Sequence, residues 1–169
     1  MAGSQGSTLF KRIATPIASS RPGAWFFVNV APYIDRPLMR LTGGRVTTGG
    51  FGRVGMLKVK GAKSGVERQT PLVYTRDGDK VLLVASRGGD VKHPAWYRNV
   101  VANPEVVFSI DGDDRSYQAR DASAAERPRL WELVNRTYAG YAAYQRRAGN
   151  RQIPVVVLEP TVARPPHSR

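Results

Sequence analysis

Apolar and polar positions change rhythm once along the chain, at a glycine-rich stretch near residue 50. Before it, residues 9–41 predict helix in two pieces, broken at Pro16, Pro22 and Pro32. Residues 43–52 hold five glycines and predict a linker or mobile loop. After it come short β-prone runs at 54–60, 69–75, 80–86, 105–110, 115–120 and 153–158. Asp77-Gly78 and Asp111-Gly112 are strong hairpin turns between the second and third and the fourth and fifth runs. Two helices interrupt this set. One spans 94–103, with Pro94 in the first turn where its missing N–H costs little. The other begins at the capping box Ser123-Ala-Ala-Glu126 and runs to about Arg147, with Pro128 bending its start. Gly140 weakens its middle by about 1 kcal/mol relative to alanine. Two hairpins among six strands predict a mainly β, α+β protein: an antiparallel barrel of about six strands with flanking helices.

With 169 residues the chain suits one sizeable core, and 41% apolar with 23% charged residues describes a folded soluble domain. There is no cysteine, which removes disulfides, thiolate catalysis and thiolate metal sites. His93 and His167 are the sole histidines, so no metal site is expected. Charge changes the picture more. The net charge is +13, and residues 1–103 carry sixteen basic against five acidic side chains. Such an excess points to nucleic acid, anionic lipid or a polyanionic small molecule, against the plain alternative of a solvated basic surface.

No run is long enough to span a membrane, since the longest mostly apolar one, 24–34, contains Asn29 and Pro32 and falls short of about 20 residues. Lys11, Arg12 and Arg21 break any signal-peptide core, so a cytoplasmic protein is expected. Within residues 9–41, Trp25, Phe26, Phe27 and Val28 suit peripheral contact with the cytoplasmic face of a membrane, or packing on the barrel or a second subunit of a homodimer.

Three motifs carry chemistry. In Gly61-Ala-Lys-Ser-Gly65, glycines allow backbone N–H groups to turn toward an anion, and Lys63, Ser64 and Arg68 add donors. Ser86-Arg-Gly-Gly89 repeats the arrangement at the end of a strand. Pro71, Ala85 and Trp96 offer apolar surface to a ring, although a lone tryptophan is as readily plain core. Tyr138, Tyr141 and Tyr144 at i, i+3 and i+6 share one broad helix face, either as core or as a phenol-lined pocket. No Gly-x-Gly-x-x-Gly follows a strand, and Lys63-Ser64 follows Ala62 where a P-loop needs glycine. Nucleic acid is the weakest partner class, because the aromatics are not interleaved with cations on a sheet.

In order, Gly-Ala-Lys-Ser-Gly, Arg68…Pro71-Leu72, Val84-Ala-Ser-Arg-Gly-Gly89, Pro94-x-Trp-Tyr-x-Asn99…Ala-Asn-Pro104 and Ile153-Pro-Val155…Leu158-Glu-Pro160 resemble the deazaflavin-dependent nitroreductase and quinone reductase family of actinobacteria. The resemblance covers residues 53–160. It implies a split antiparallel β-barrel at 53–160; the residue pattern itself puts a helical extension and linker at 1–52 before it and a disordered tail at 161–169 after it. The resemblance also implies coenzyme F420, an 8-hydroxy-5-deazaflavin, with reduction of a small-molecule hydride acceptor: a quinone, an activated alkene or a nitroaromatic. Lys63, Ser64 and Arg68 would hold the cofactor's phosphate and oligoglutamate tail. Pro71, Ala85, Ser86, Arg87, Gly88, Gly89 and Trp96 would surround its phosphate, ribityl chain and ring. Tyr138, Tyr141 and Tyr144 would form the substrate wall, with Ser86, Tyr141 and Tyr138 catalytic. The family often has a cation where this chain has Ala62, and Arg53, Lys58 and Lys60 are the candidates to replace it. An FMN-binding split-barrel oxidoreductase and a non-catalytic deazaflavin carrier are the alternatives.

Overall fold

The computed structural model describes residues 53–161. The helical extension and linker expected before residue 53, and the tail from residue 162, lie outside the described residues. Six strands follow in order: β1 Arg53–Lys60, β2 Glu67–Asp77, β3 Lys80–Val84, β4 Glu105–Ile110, β5 Asp113–Asp121 and β6 Val155–Pro160. A 3-10 turn at Arg87–Gly89 and helix α1, Ala95–Ala102, connect β3 to β4. Helices α2, Arg127–Thr137, and α3, Gly140–Arg147, connect β5 to β6. The strands close into an antiparallel barrel in the order β1-β2-β3-β6-β5-β4, which leaves no open sheet edge. Among the described residues no helix is long and apolar enough to cross a membrane.

The hydrophobic patterning explains this closure. β1 alternates, burying Leu57 and Val59 inside the barrel. By contrast β3 and β6 are apolar at successive positions because both their faces are covered. Val81, Leu83, Val156 and Leu158 fill the barrel, while Leu82, Val155 and Val157 pack under α2 and α3. Each such side chain contributes roughly 1.5–3 kcal/mol on burial, so these two strands bind the helices to the barrel. The hairpins form at the expected sequences. Asp77 pairs with Lys80 across Gly78, whose φ is +64°. Ile110 pairs with Asp113 across Asp111 (φ 55°) and Gly112 (φ 93°), the two left-handed residues of a tight hairpin.

One expectation is corrected. The helix predicted from Ser123 to Arg147 is two helices, interrupted at Tyr138, whose backbone is extended (φ −145°, ψ 102°). The expected capping box at Ser123 forms only in part: the Glu126 N–H donates to Ser123 Oγ at 3.3 Å, but the Glu126 carboxylate accepts from the Ser123 hydroxyl at 2.9 Å, and α2 itself starts later, at Arg127, with no side-chain cap bond. At the far end the hydroxyl of Thr75 on β2 donates to that of Thr137 at 2.8 Å, anchoring the last residue of α2. The Tyr138 ring then folds back over Gly140, where a Cβ would lie 2.3 Å from Tyr138 Cζ.

Strand direction alternates around the barrel, and this decides what meets what. β1 and β3 end, and β2, β4 and β6 begin, at one and the same end. That end therefore carries the 61–66 loop, the turn after β3, α1, the start of α2 and the α3–β6 link.

Candidate functional site

The turn after β3 has three consecutive residues in the left-handed region: Arg87 (φ 49°), Gly88 (φ 65°) and Gly89 (φ 84°). For Arg87, which has a Cβ, this costs about 1–2 kcal/mol, so the surroundings must hold it. Gly89 is required twice over: by its φ, and because a Cβ there would stand 2.6 Å from the Tyr144 carbonyl oxygen. The Gly89 and Asp90 N–H groups donate to the carbonyls of Ser86 and Arg87 at 3.0 and 3.2 Å. Arg147 Nη1 on α3 donates to the Gly88 carbonyl at 2.7 Å.

Arg151, on the α3–β6 link, reaches further. Its Nε donates to the Asp90 carbonyl at 2.8 Å, its Nη1 to that of Ala85 at 3.2 Å and its Nη2 to that of Ser86 at 2.8 Å. Its Nη1 also lies 3.3 Å from His93 Nδ1. Burial, and then the charge of Arg151, hold the His93 imidazole below its ordinary pKa. With these carbonyls engaged, the N–H groups of Arg87 and Gly88 and the Ser86 hydroxyl have no partner among the described residues. Ser86 is right-handed (φ −73°, ψ −42°) where Arg87 is left-handed, and successive N–H groups across such a pair form an anion-binding concavity.

The 61–66 loop is the second such feature. Gly61 and Gly65 donate to Val66 and Gly61 carbonyls at 2.9 and 2.8 Å, and the Val66 N–H reaches Ser64 Oγ at 3.4 Å. Helix α1 fastens the loop from outside: the Ala62 N–H donates to Asn99 Oδ1 at 3.1 Å and Asn103 Nδ2 to the Lys60 carbonyl at 3.1 Å. Only the Lys63 and Ser64 N–H groups of this loop have no partner among the described residues. Lys63, Ser64 and Arg68 are all exposed. Of the cations considered as replacements at Ala62, Lys58 is bound to Asp114 at 2.5 Å and Arg53 begins β1 at the opposite end of the barrel. Lys60 is exposed at the end of β1, beside the loop.

The tyrosines cluster despite the helix break. Ring centroids lie 5.1 Å apart for Tyr138 and Tyr141, and 5.8 Å for Tyr138 and Tyr144. The Tyr138 and Tyr144 hydroxyls are 3.0 Å apart and hydrogen-bonded. Tyr141 and Tyr144 are buried among Leu82, Val134, Val155 and Val157, so most of their surface is core; Tyr138 is half-buried against it. Burial pushes all three phenols above their ordinary pKa, so they remain neutral donors. The Tyr141 hydroxyl has no partner among the described residues. Because Gly89 abuts the Tyr144 carbonyl, this cluster and the turn are one packed unit.

The remaining expected residues are placed less distinctively. Ala85 is fully buried, and Pro71 is half-buried opposite Met56. Trp96 is 8% exposed and packs in the barrel core, edge-on to Tyr97. Sequence reasoning missed Arg147 and Arg151, and the tethering role of Asn99 and Asn103. None belongs to a local pattern; only the topology brings them to the two loops.

The F420H(2)-dependent quinone reductase family matches residues 35–160. An F420H(2)-dependent quinone reductase of Mycobacterium tuberculosis is 42% identical over 106 residues, covering 61% of this chain and 70% of that relative. The solved F420-H2 dependent reductase FDR-A is 39% identical with a TM-score of 0.59, covering 63% of this chain and 93% of its own. A second solved structure, of a domain-swapped dimer, is 36% identical with a TM-score of 0.60, covering 75% and 97%. With a six-stranded antiparallel barrel matching that of a solved F420-H2 dependent reductase, the chain belongs to the F420H(2)-dependent quinone reductase family and is a reductase that uses coenzyme F420.

Proposed function

We propose that this reductase delivers a hydride to a quinone, an activated alkene or a nitroaromatic held between the Ser86–Gly89 turn and α3. One observation carries the reading. Two packed segments offer hydrogen-bond donors with no partner among the described residues: Ser86 Oγ with the Arg87 and Gly88 N–H groups, and the Tyr141 hydroxyl.

The residues present fit an anionic, phosphate-bearing deazaflavin. Lys63, Ser64 and Arg68 hold its phosphate and oligoglutamate tail, aided by Lys60. Ser86, Arg87, Gly88 and Gly89 hold the phosphate and ribityl chain through backbone N–H groups and a hydroxyl. Pro71, Ala85 and Trp96 border the ring; the burial of Trp96 makes it a wall behind the site more than a stacking face. When bound in reduced form, the cofactor supplies a hydride. The protein's part is to orient donor and acceptor and to exclude water. Ser86 and Tyr141 donate hydrogen bonds to the acceptor oxygen on which charge develops. Tyr138 and Tyr144 line the acceptor's space, and their raised pKa values keep them protonated for that role. A tyrosine or solvent supplies the proton.

The domain-swapped dimer among the relatives supports a homodimer for this chain as well. Residues 9–41, outside the described part, are assigned to that contact or to the cytoplasmic face of a membrane. Gel filtration and vesicle co-sedimentation separate the two.

Anaerobic stopped-flow with reduced F420 and menadione tests the reaction. Saturable, enzyme-dependent oxidation is expected, with the rate falling roughly 100-fold in Ser86→Ala or Tyr141→Phe. Tight binding without turnover would make the chain a carrier, and preference for FMN would reassign the cofactor.

A further inference from the structure

We propose that Arg151 is the positioning residue of the cofactor turn, fixing which way its peptide groups face. The proposal rests on the reading that this turn binds the cofactor's anionic part. A single guanidinium spans residues 85–93, donating to the carbonyls of Ala85, Ser86 and Asp90 and lying 3.3 Å from His93 Nδ1. In a planar trans peptide the C=O of one residue and the N–H of the next point in opposite directions. Drawing the Ser86 carbonyl toward Arg151 therefore turns the Arg87 N–H away from it. The Arg87 carbonyl, held by the Asp90 N–H at 3.2 Å, does the same for the Gly88 N–H. Those are the two N–H groups of the turn left open.

The arrangement needs arginine. A lysine ammonium is a point donor and cannot serve acceptors on both sides of a rigid planar fork. Arg151 also brings charge. Its bonds go to neutral carbonyls and an imidazole, and it forms no ion pair among the described residues. The one carboxylate near it among the described residues, Asp90, also pairs with Arg87, so positive charge remains in excess behind the two open N–H groups, where it favours an anion. Burial lowers its pKa from the ordinary arginine value, and the nearby Asp90 carboxylate opposes that shift without cancelling it.

The test uses Arg151→Lys and Arg151→Gln beside the unaltered protein. Amide hydrogen exchange without cofactor reads the turn itself. The Gly89 and Asp90 amides should exchange about tenfold faster in both variants, while those of Val81 to Leu83 in the barrel stay unchanged. Fluorescence titration should then show F420 affinity falling about tenfold in both variants. Guanidinium ion, added at sub-denaturing concentration to Arg151→Ala, should restore part of that affinity; methylammonium should not. Unchanged exchange at Gly89 and Asp90 would overturn the positioning role. Faster exchange with unchanged F420 affinity would overturn the assignment of this turn to the cofactor. Backbone amide shifts distinguish the two failures: in the unaltered protein, F420 should move the Arg87 and Gly88 signals, and failure to do so sinks the binding reading alone.

Discussion

Substituting Gly89 by alanine tests whether the turn and α3 are one unit. Two costs add at this position. An L-residue at φ 84° is strained by about 1–2 kcal/mol. The new methyl would also stand 2.6 Å from the Tyr144 carbonyl oxygen and 2.9 Å from Arg147 Cβ. The first of these is backbone, so α3 must retreat, an overpacking cost of about 1–3 kcal/mol. The expected loss is therefore roughly 2–5 kcal/mol, a large share of the roughly 5–15 kcal/mol that holds a domain folded. Gly65→Ala is the matched control. Gly65 has φ 66° but nothing within 4 Å of its would-be Cβ, so only the strain of about 1–2 kcal/mol applies. Urea unfolding of both variants, with F420 titrations on the folded proteins, reads the difference. Gly89→Ala should be the less stable by about 1–3 kcal/mol, and should bind F420 more weakly. Equal losses in the two variants would refute the close packing of turn on helix.

Three further outcomes follow from the same geometry. The Tyr141 phenol is buried and its folded pKa is raised, so an unfolded chain releases its proton first as pH rises past 10. Stability is then full below pH 10 and falls above it by about 1.4 kcal/mol per pH unit for this group; urea midpoints between pH 9 and 11 should flatten by that slope in Tyr141→Phe, and an unaltered slope would contradict the burial. Trp96→Ala should cost about 3–5 kcal/mol in thermal unfolding because the ring is core, whereas loss of F420 affinity at unchanged stability would make the indole a cofactor face. Lys63→Gln and Arg68→Gln, both at exposed positions, should each weaken F420 binding by no more than about fivefold at physiological salt, with the deficit vanishing by 1 M salt; a deficit that persists there would mean a buried, desolvated contact.

What the sequence made legible was mostly local. Alternation along residues 54–60, and the Asp-Gly pairs at 77–78 and 111–112, predict strands and hairpins through steric rules that tertiary context does not override. The apolar runs in β3 and β6 are legible as strands, and the structure buries both of their faces. The break at Tyr138 was illegible for the opposite reason. Tyr-Ala-Gly only weakens a helix, and a side-chain contact, the Tyr138 ring over Gly140, decides the outcome. Gly140 thus reads as a defect in the sequence and as a requirement in the fold. The site divides in the same way. Ser86-Arg-Gly-Gly89 announces a left-handed turn through its glycines, but Arg151 lies in the plain polar run Asn150-Arg-Gln152, sixty-odd residues from the carbonyls that it holds.

Topology places part of the charge excess. Lys58, Lys80, Arg120, Arg129 and Arg136 are all paired with carboxylates. Lys60, Lys63, Arg68, Lys92 and Arg98 form no ion pair among the described residues, and all five belong to the loop-bearing end: the β1–β2 connection, the approach to α1, and α1 itself. Unpaired like charges at one end of the barrel repel one another and give the fold nothing, so their grouping favours a ligand that brings negative charge. A strand of nucleic acid would also need aromatic faces between the cations. On α1, Trp96 is in the core, and the Tyr97 hydroxyl is committed to Asp121 at 2.7 Å. A compact polyanion that reached both the 61–66 loop and the turn after β3 would use this end of the barrel more fully than an extended one.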